Sequence, residues 1–73
     1  MKAQVARVEE HALYFTFEDI EIVVLIPDVS AAPIHLKQTW HVGDETFVKI
    51  VRYVEQERIY KGTMRDVAAP SGL

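Results

Sequence analysis

Apolar residues recur at every second position along much of this chain, a spacing that predicts β-strands. In the segment 12–17, Leu13, Phe15 and Phe17 fall on one face, and smaller or polar residues fall on the other. Pro27 has no N–H to donate to a strand ladder, so it is expected to end a third strand. The whole pattern predicts five strands, at residues 3–10, 12–17, 20–26, 45–54 and 58–65.

The first and third predicted strands each depart from simple alternation. Val5 and Val8 are the core candidates of the first, but they are three positions apart, which predicts a bend or bulge between them. In the third strand both faces are apolar, because Val23 and Leu25 lie opposite the residues expected in the core.

The longest connection, residues 28–41, predicts a short helical turn between the third and fourth strands. Ser30 can cap such a turn, and Pro33 suits its first position. The segment 34–40 has room for one or two turns, and Trp40 is expected to plug the core beneath the connection. Five strands with the longest connection after the third are typical of an OB-type barrel, an all-β fold.

A chain of 73 residues forms one domain at most, and its core is thin. We assign residues 1–67 to this domain and expect residues 68–73 to be a disordered tail. The chain has no Cys, so it has neither a disulfide nor a thiolate metal ligand. Its three histidines lack carboxylates at ligand spacing, and no metal site is expected.

Charge and hydropathy narrow the classes of partner. The net charge is −3, with two basic and six acidic residues in 1–36 and six basic and five acidic residues in 37–73. An acidic chain argues against tight, nonspecific binding of nucleic acid. No apolar run approaches the roughly 20 residues that span a bilayer, and no secretory signal is visible. We expect a cytoplasmic protein with no membrane partner.

The sequence contains no recognisable combination of catalytic residues. It has no Gly-rich phosphate loop and no Cys nucleophile, and Ser30 and Ser71 have no evident base. The paired carboxylates at 9–10 and 18–19 lie at strand ends and a turn, where they are expected to be solvated. We therefore expect neither an enzyme nor a bound cofactor.

Short motifs follow one another in a set order along the predicted strands. They are Ala3-Gln4-Val5-Ala6-Arg7-Val8, then His11-Ala12-Leu13-Tyr14-Phe15, then the apolar run 22–26 with Pro27-Asp28-Val29-Ser30, and finally Val42-Gly43-Asp44-Glu45 followed by Val48-Lys49-Ile50.

In this order and spacing, the motifs resemble an S1 domain, a five-stranded RNA-binding barrel of the OB class. The resemblance covers residues 3–60 and implies weak binding of single-stranded RNA by base stacking and phosphate contacts. It also implies an accessory role in translation, RNA turnover or transcription. The family's two stacking positions fall at His11 and Tyr14, its histidine at Leu25 and its arginine at Arg58. Its acidic position falls at Val54, where the neighbouring Glu55 could serve instead. Lys49 and Lys61 are further candidate phosphate contacts.

Each of these residues also has a purely structural explanation. Tyr14 can be a half-buried ring on the side of the barrel, His11 an exposed residue between strands, and the cations ordinary surface charges. Apolar residues at family RNA positions suggest an alternative function, a protein-interaction module that has lost the RNA site and binds a protein partner or a second copy of itself. Its candidate contact face is Val23, Leu25 and Val54.

Overall fold

Six strands form one curled sheet in the computed structural model, which describes residues 1–30 and 34–65. Two four-residue helices lie in the connection between the third and fourth strands. The elements are β1 (Lys2–Val8), β2 (Ala12–Phe17), β3 (Ile20–Leu25), α1 (Ile26–Val29), α2 (Leu36–Thr39), β4 (Glu45–Phe47), β5 (Lys49–Val54) and β6 (Ile59–Thr63).

The sheet curls back towards itself because its two outermost strands are consecutive in the chain. The strand order is β4-β1-β2-β3-β6-β5, and only Val48 separates β4 from β5. All neighbouring strands are antiparallel except β3 and β6, which are parallel. The prediction of an all-β, barrel-like fold is therefore confirmed.

The number of strands differs from the prediction, because the fourth predicted strand, 45–54, is two strands. Its first part pairs with β1 and its second part pairs with β6, so the chain changes partner at Val48. The Val48 N–H donates to the Met1 carbonyl at 2.7 Å, and the Val48 side chain is fully buried. A single segment with one continuous alternating pattern thus pairs with two different strands. Alternation alone does not reveal this change of partner.

The connection after β3 contains two short helices where one helical turn was predicted. β3 ends at Leu25, and α1 starts at Ile26 with Pro27 in its first turn, where a missing N–H costs nothing. Ser30 follows α1 at its C-terminal end, and the helix within the segment 34–40 begins after His35 instead. The predictions for Pro33 and for the tail 68–73 lie outside the described residues.

A bulge in β1 confirms the irregularity expected between Val5 and Val8. Val5 lies opposite Phe15, but it is Arg7 that lies opposite Tyr14, so Ala6 is an extra residue on β1. Val5 and Val8 consequently both pack inward. The central core consists of Ala3, Val5, Leu13, Phe15, Ile22, Val24, Leu36 and Val48, and Trp40 packs against it as predicted.

A second bulge lies in β5. Ile50 is opposite Gly62 and Arg52 is opposite Lys61, which leaves Val51 as the extra residue, with 55% of its surface exposed. Each bulge immediately precedes an arginine. Both arginines lie on the outer face of the sheet, Arg7 opposite Tyr14 and Arg52 opposite Lys61.

Gly62 is a close-packed position on the inner face of β6. A Cβ atom added there would lie 2.7 Å from Ile22 Cγ2 and 2.8 Å from Val48 Cγ1. These distances are too short for carbon atoms, so a side chain at this position would push β6 away from both neighbours.

We expect Gly62→Ala to destabilise the fold by about 1–3 kcal/mol, because overpacking outweighs the roughly 0.5–1 kcal/mol that alanine gains in a strand. Chemical denaturation measures this free energy of unfolding. In a Val48→Ala background one of the two clashing methyl groups is gone, so the same substitution should cost less. An equal cost in both backgrounds would show that the contact with Val48 is not the cause.

Candidate nucleic-acid interface

A single row of outward side chains crosses five strands of the sheet. Arg7 on β1 lies opposite Tyr14 on β2, and Tyr14 lies opposite Val23 on β3. Val23 pairs with Lys61 on β6, and Lys61 lies opposite Arg52 on β5. Four strand spacings of about 4.8 Å make this cross-strand row roughly 19 Å long before curvature.

The alternation of buried and exposed residues turns the cross-strand row away from the core. Tyr14 stands between Leu13 and Phe15, which are both fully buried. Val23 likewise stands between two fully buried residues, and Lys61 precedes the inward-facing Gly62. The arginines face outward for a different reason, because each follows a bulge that reverses the alternation of its strand.

Arg7 lies over the ring of Tyr14. Its Cζ atom is 4.1 Å from the ring centroid, a cation–π contact, and its Nε atom is 3.1 Å from Glu9 Oε2. The tyrosine ring is half-buried, whereas the side chains of Arg7 and Glu9 are 60% and 50% exposed. One face of the ring is therefore covered by a guanidinium that a carboxylate holds in place.

The other end of the cross-strand row holds two cations side by side. Lys61 and Arg52 lie directly opposite each other on antiparallel strands, and no carboxylate of residues 1–30 and 34–65 pairs with either. Like charges in this arrangement destabilise a sheet by roughly 0.2–1 kcal/mol. An anion bound between the two would relieve the repulsion.

His11 and Leu25 lie beside Tyr14, near the N-terminal end of β2. They line an open depression, here called the His11 depression, and Leu25 lies opposite Ala12 with 39% of its surface exposed. Lys37 of α2 brings another cation to its rim. The lining is Arg7, Glu9, Glu10, His11, Ala12, Tyr14, Leu25 and Lys37.

Arg58 lies at the opposite end of β2 from His11. It occupies the β5–β6 turn with a φ of 55°, in a second depression that adjoins the β2–β3 turn. The carboxylates of Glu18, Asp19 and Glu21 line the same depression, so its charge is predominantly negative. The structure does not bring Arg58 together with His11 and Tyr14.

The remaining predicted residues are divided between the cross-strand row and its surroundings. Lys61 and Val23 lie within it, and Val23 stands directly between Tyr14 and Lys61. Lys49 is exposed opposite Thr63, outside the row. Val54 is half-buried opposite Ile59 on β6, which places it two strands away from Val23. Of the predicted RNA residues, only His11, Tyr14 and Lys61 therefore share a surface with the predicted contact residues Val23 and Leu25.

Three cations of this surface, Arg7, Arg52 and Lys37, were not among the predicted site residues. The three-residue step from Val5 to Val8 was the available signal for Arg7, since a bulge at Ala6 turns Arg7 outward. No comparable step marks the bulge at Val51, because Ile50 and Val51 are both apolar. The position of Lys37 beside the His11 depression is set by the path of the long connection, which the sequence pattern does not specify.

Comparison with protein-family models and with curated protein sequences found no match to this chain. Among the described residues, no group of three or more His, Asp or Glu side chains could hold a metal ion. Within the same part of the chain, no helix is long and apolar enough to cross a membrane. What the surface offers chemically is an aromatic ring, a stacked guanidinium and unpaired cations.

Replacing Lys61 with glutamate should stabilise the free protein, because an opposite-charge pair with Arg52 would replace a repulsive one. We expect a gain of about 0.2–1 kcal/mol in the free energy of unfolding at low salt, shrinking at 1 M salt where charges are screened. Chemical denaturation at both salt concentrations measures it. The matched control is Lys49→Glu, which faces Thr63 and should bring no such gain. A loss of stability in Lys61→Glu would contradict the repulsion.

Proposed function

We propose that this chain is an S1-like OB barrel that binds single-stranded RNA weakly and without catalysis. The strand pairing supports the fold assignment. When β4 and β5 are counted as one interrupted strand, the sheet has five strands, the number in an OB barrel, and the β1–β4 and β3–β6 pairs join its first three strands to the last two. The ligand-binding face of that fold is centred on its second and third strands, which here carry Tyr14 and Val23.

The observation that carries the functional proposal is the composition of the cross-strand row. It combines an aromatic ring with three cations, and two of these cations, Lys61 and Arg52, face each other without a carboxylate partner in the described chain. Single-stranded nucleic acids bind to surfaces with this combination, stacking bases on rings and placing phosphates near cations. Two adjacent cations repel each other, and a bound phosphate would relieve that repulsion.

The order of residues along the cross-strand row implies that a bound RNA would run across the strands. Tyr14 and Lys61 are two strands apart, about 10 Å, and Arg52 is one strand further. A short RNA would cross the strands, with a base near Tyr14, an apolar contact at Val23 and backbone phosphates at the two cations. Because few cations take part, affinity should be modest and should fall as salt rises.

The biological setting follows only from the resemblance to S1 domains. On that pattern the protein would be an accessory in translation, RNA turnover or transcription. His11 lies at the rim of the same surface, where it can contact a neighbouring base or phosphate.

The first test is a titration of the isotope-labelled protein with a short mixed-sequence single-stranded RNA at low salt, followed by NMR. We expect shifts at Tyr14, Val23, Lys61, Arg52 and His11. Shifts confined to the Arg58 depression would move the site to the other end of the sheet. A folded sample that shows no shifts at all would remove RNA binding.

Arg52→Ala should weaken RNA binding and flatten its salt dependence, because one phosphate contact is lost. For a single strand, the slope of log K against log salt should change by about 0.7. Fluorescence anisotropy with a labelled RNA at several salt concentrations measures both quantities. The matched control is Arg58→Ala, which removes the same side chain from an acidic environment. If both variants lose the same affinity and slope, the ligand responds to overall charge and not to the cross-strand row.

A protein-interaction module is the second candidate, and the exposure of Leu25 favours it. Leu25 has 39% of its surface exposed and lies on the same face as Val23. The apolar contact surface of a partner, or of a second copy, would cover both residues.

On this alternative, Leu25→Glu should abolish self-association or partner binding while the fold survives, because a carboxylate cannot be buried unpaired in an apolar contact. Analytical ultracentrifugation over a range of concentrations measures self-association, and a pull-down measures partner binding. A wild-type protein that remains monomeric and a variant that captures the same partners would eliminate this function. Glu21→Gln, on the same face of β3, serves as a control for the substitution itself.

A further inference from the structure

We infer that the base-stacking surface of this protein is the guanidinium of Arg7, and that Tyr14 acts beneath it as a support. This role for Arg7 rests on the proposed RNA binding, and it assigns a stacking residue that the resemblance to S1 domains does not supply.

The geometry at Tyr14 leads to this assignment. The Arg7 Cζ atom already lies 4.1 Å from the centroid of the tyrosine ring, which is close to the separation of stacked planar groups. The ring is half-buried, while Arg7 is 60% exposed, so the guanidinium is the more accessible of the two planes. Bases stack on arginine guanidinium planes as well as on aromatic rings.

Glu9 makes Arg7 better suited to stacking than to holding a phosphate. Its carboxylate lies 3.1 Å from Arg7 Nε, which offsets the positive charge and restricts rotation of the side chain. The Glu9 carboxylate would repel a phosphate brought to Arg7, whereas it would not repel a neutral base. Phosphate binding then falls to Lys61 and Arg52, which have no carboxylate partner in residues 1–30 and 34–65.

The bulge in β1 fixes where the guanidinium lies. Ala6 is the extra residue, and it brings Arg7 opposite Tyr14 on the outer face. A base stacked on Arg7 would be in line with the cations of the cross-strand row, so stacking and phosphate contacts can engage the same short RNA.

Two probes separate stacking from charge. One is a short single-stranded RNA, and the other is an abasic oligonucleotide with the same number of phosphates. The protein variants are Arg7→Lys, which keeps the charge and loses the plane, and Arg58→Lys, which makes the same change away from the cross-strand row. Tyr14→Leu removes the supporting ring, and Tyr14→Phe keeps it. Arg7 is exposed, so its variants should fold, and an NMR spectrum of each checks this.

The Arg7→Lys variant should bind the RNA at least about fivefold more weakly than the wild type, the low end for loss of one stacked base. Its affinity for the abasic probe should be unchanged, and Arg58→Lys should bind both probes normally. Tyr14→Leu should weaken RNA binding and Tyr14→Phe should not, because the ring and not its hydroxyl supports the guanidinium.

Two results would overturn the role of Arg7 while leaving RNA binding intact. In the first, Arg7→Lys binds the RNA as tightly as the wild type, and a loss of affinity in Tyr14→Leu would then make the bare tyrosine ring the stacking surface. In the second, Arg7→Lys loses affinity equally for both probes. A wild-type protein that binds neither probe would instead remove the proposed function itself.

Discussion

The two β-bulges are the constraint on which the outer surface depends. In a regular strand Arg7 would share the inward face of Val5, and Arg52 would share that of Ile50. One extra residue before each arginine reverses this order and sends both guanidinium groups outward. The inward faces remain apolar, because Val5 and Val8 can both reach the core. The same device therefore keeps the inner face of the sheet free of charge and places a cation at each end of the cross-strand row.

Much of the strand architecture can be predicted from the local alternation of apolar and polar residues, whereas the composition of the candidate site is predicted less well. Alternation located every strand-forming segment but counted β4 and β5 as one strand, and β2 matched residue for residue, because its large apolar side chains leave one workable register. The split at Val48 escaped prediction because it depends on which strand lies alongside, a relation between distant parts of the chain. The outward position of Arg52 was not predicted for the same reason, because the register of β5 against β6 determines which face of the sheet it occupies. Tyr14 was predicted from its place in the S1-like pattern and Lys61 as a possible phosphate contact, and both lie on regular strands where alternation turns them outward.

The two proposed functions compete for one surface. Val23 and Leu25 supply its apolar part, and Tyr14 and Lys61 lie next to them on neighbouring strands. A partner that buried Leu25 would also cover the Tyr14 ring and the guanidinium above it. Protein binding and RNA binding would then exclude each other, unless a protein ligand left the Lys61–Arg52 end open. Steric overlap of this kind would let one ligand regulate the other without any conformational change.

The pairing of β1 with β4 also affects how the chain acquires its fold. Lys2 lies opposite Phe47, so the first strand finds its outer partner only after some forty intervening residues are available. The β2–β3 hairpin has no such delay, because a two-residue turn joins its strands. Non-local pairing of this kind slows folding relative to hairpins and helices. During synthesis, the early meander would therefore wait with both of its edges uncovered, β1 until β4 is made and β3 until β6 is made, and these edges would be the segments most exposed to misassembly.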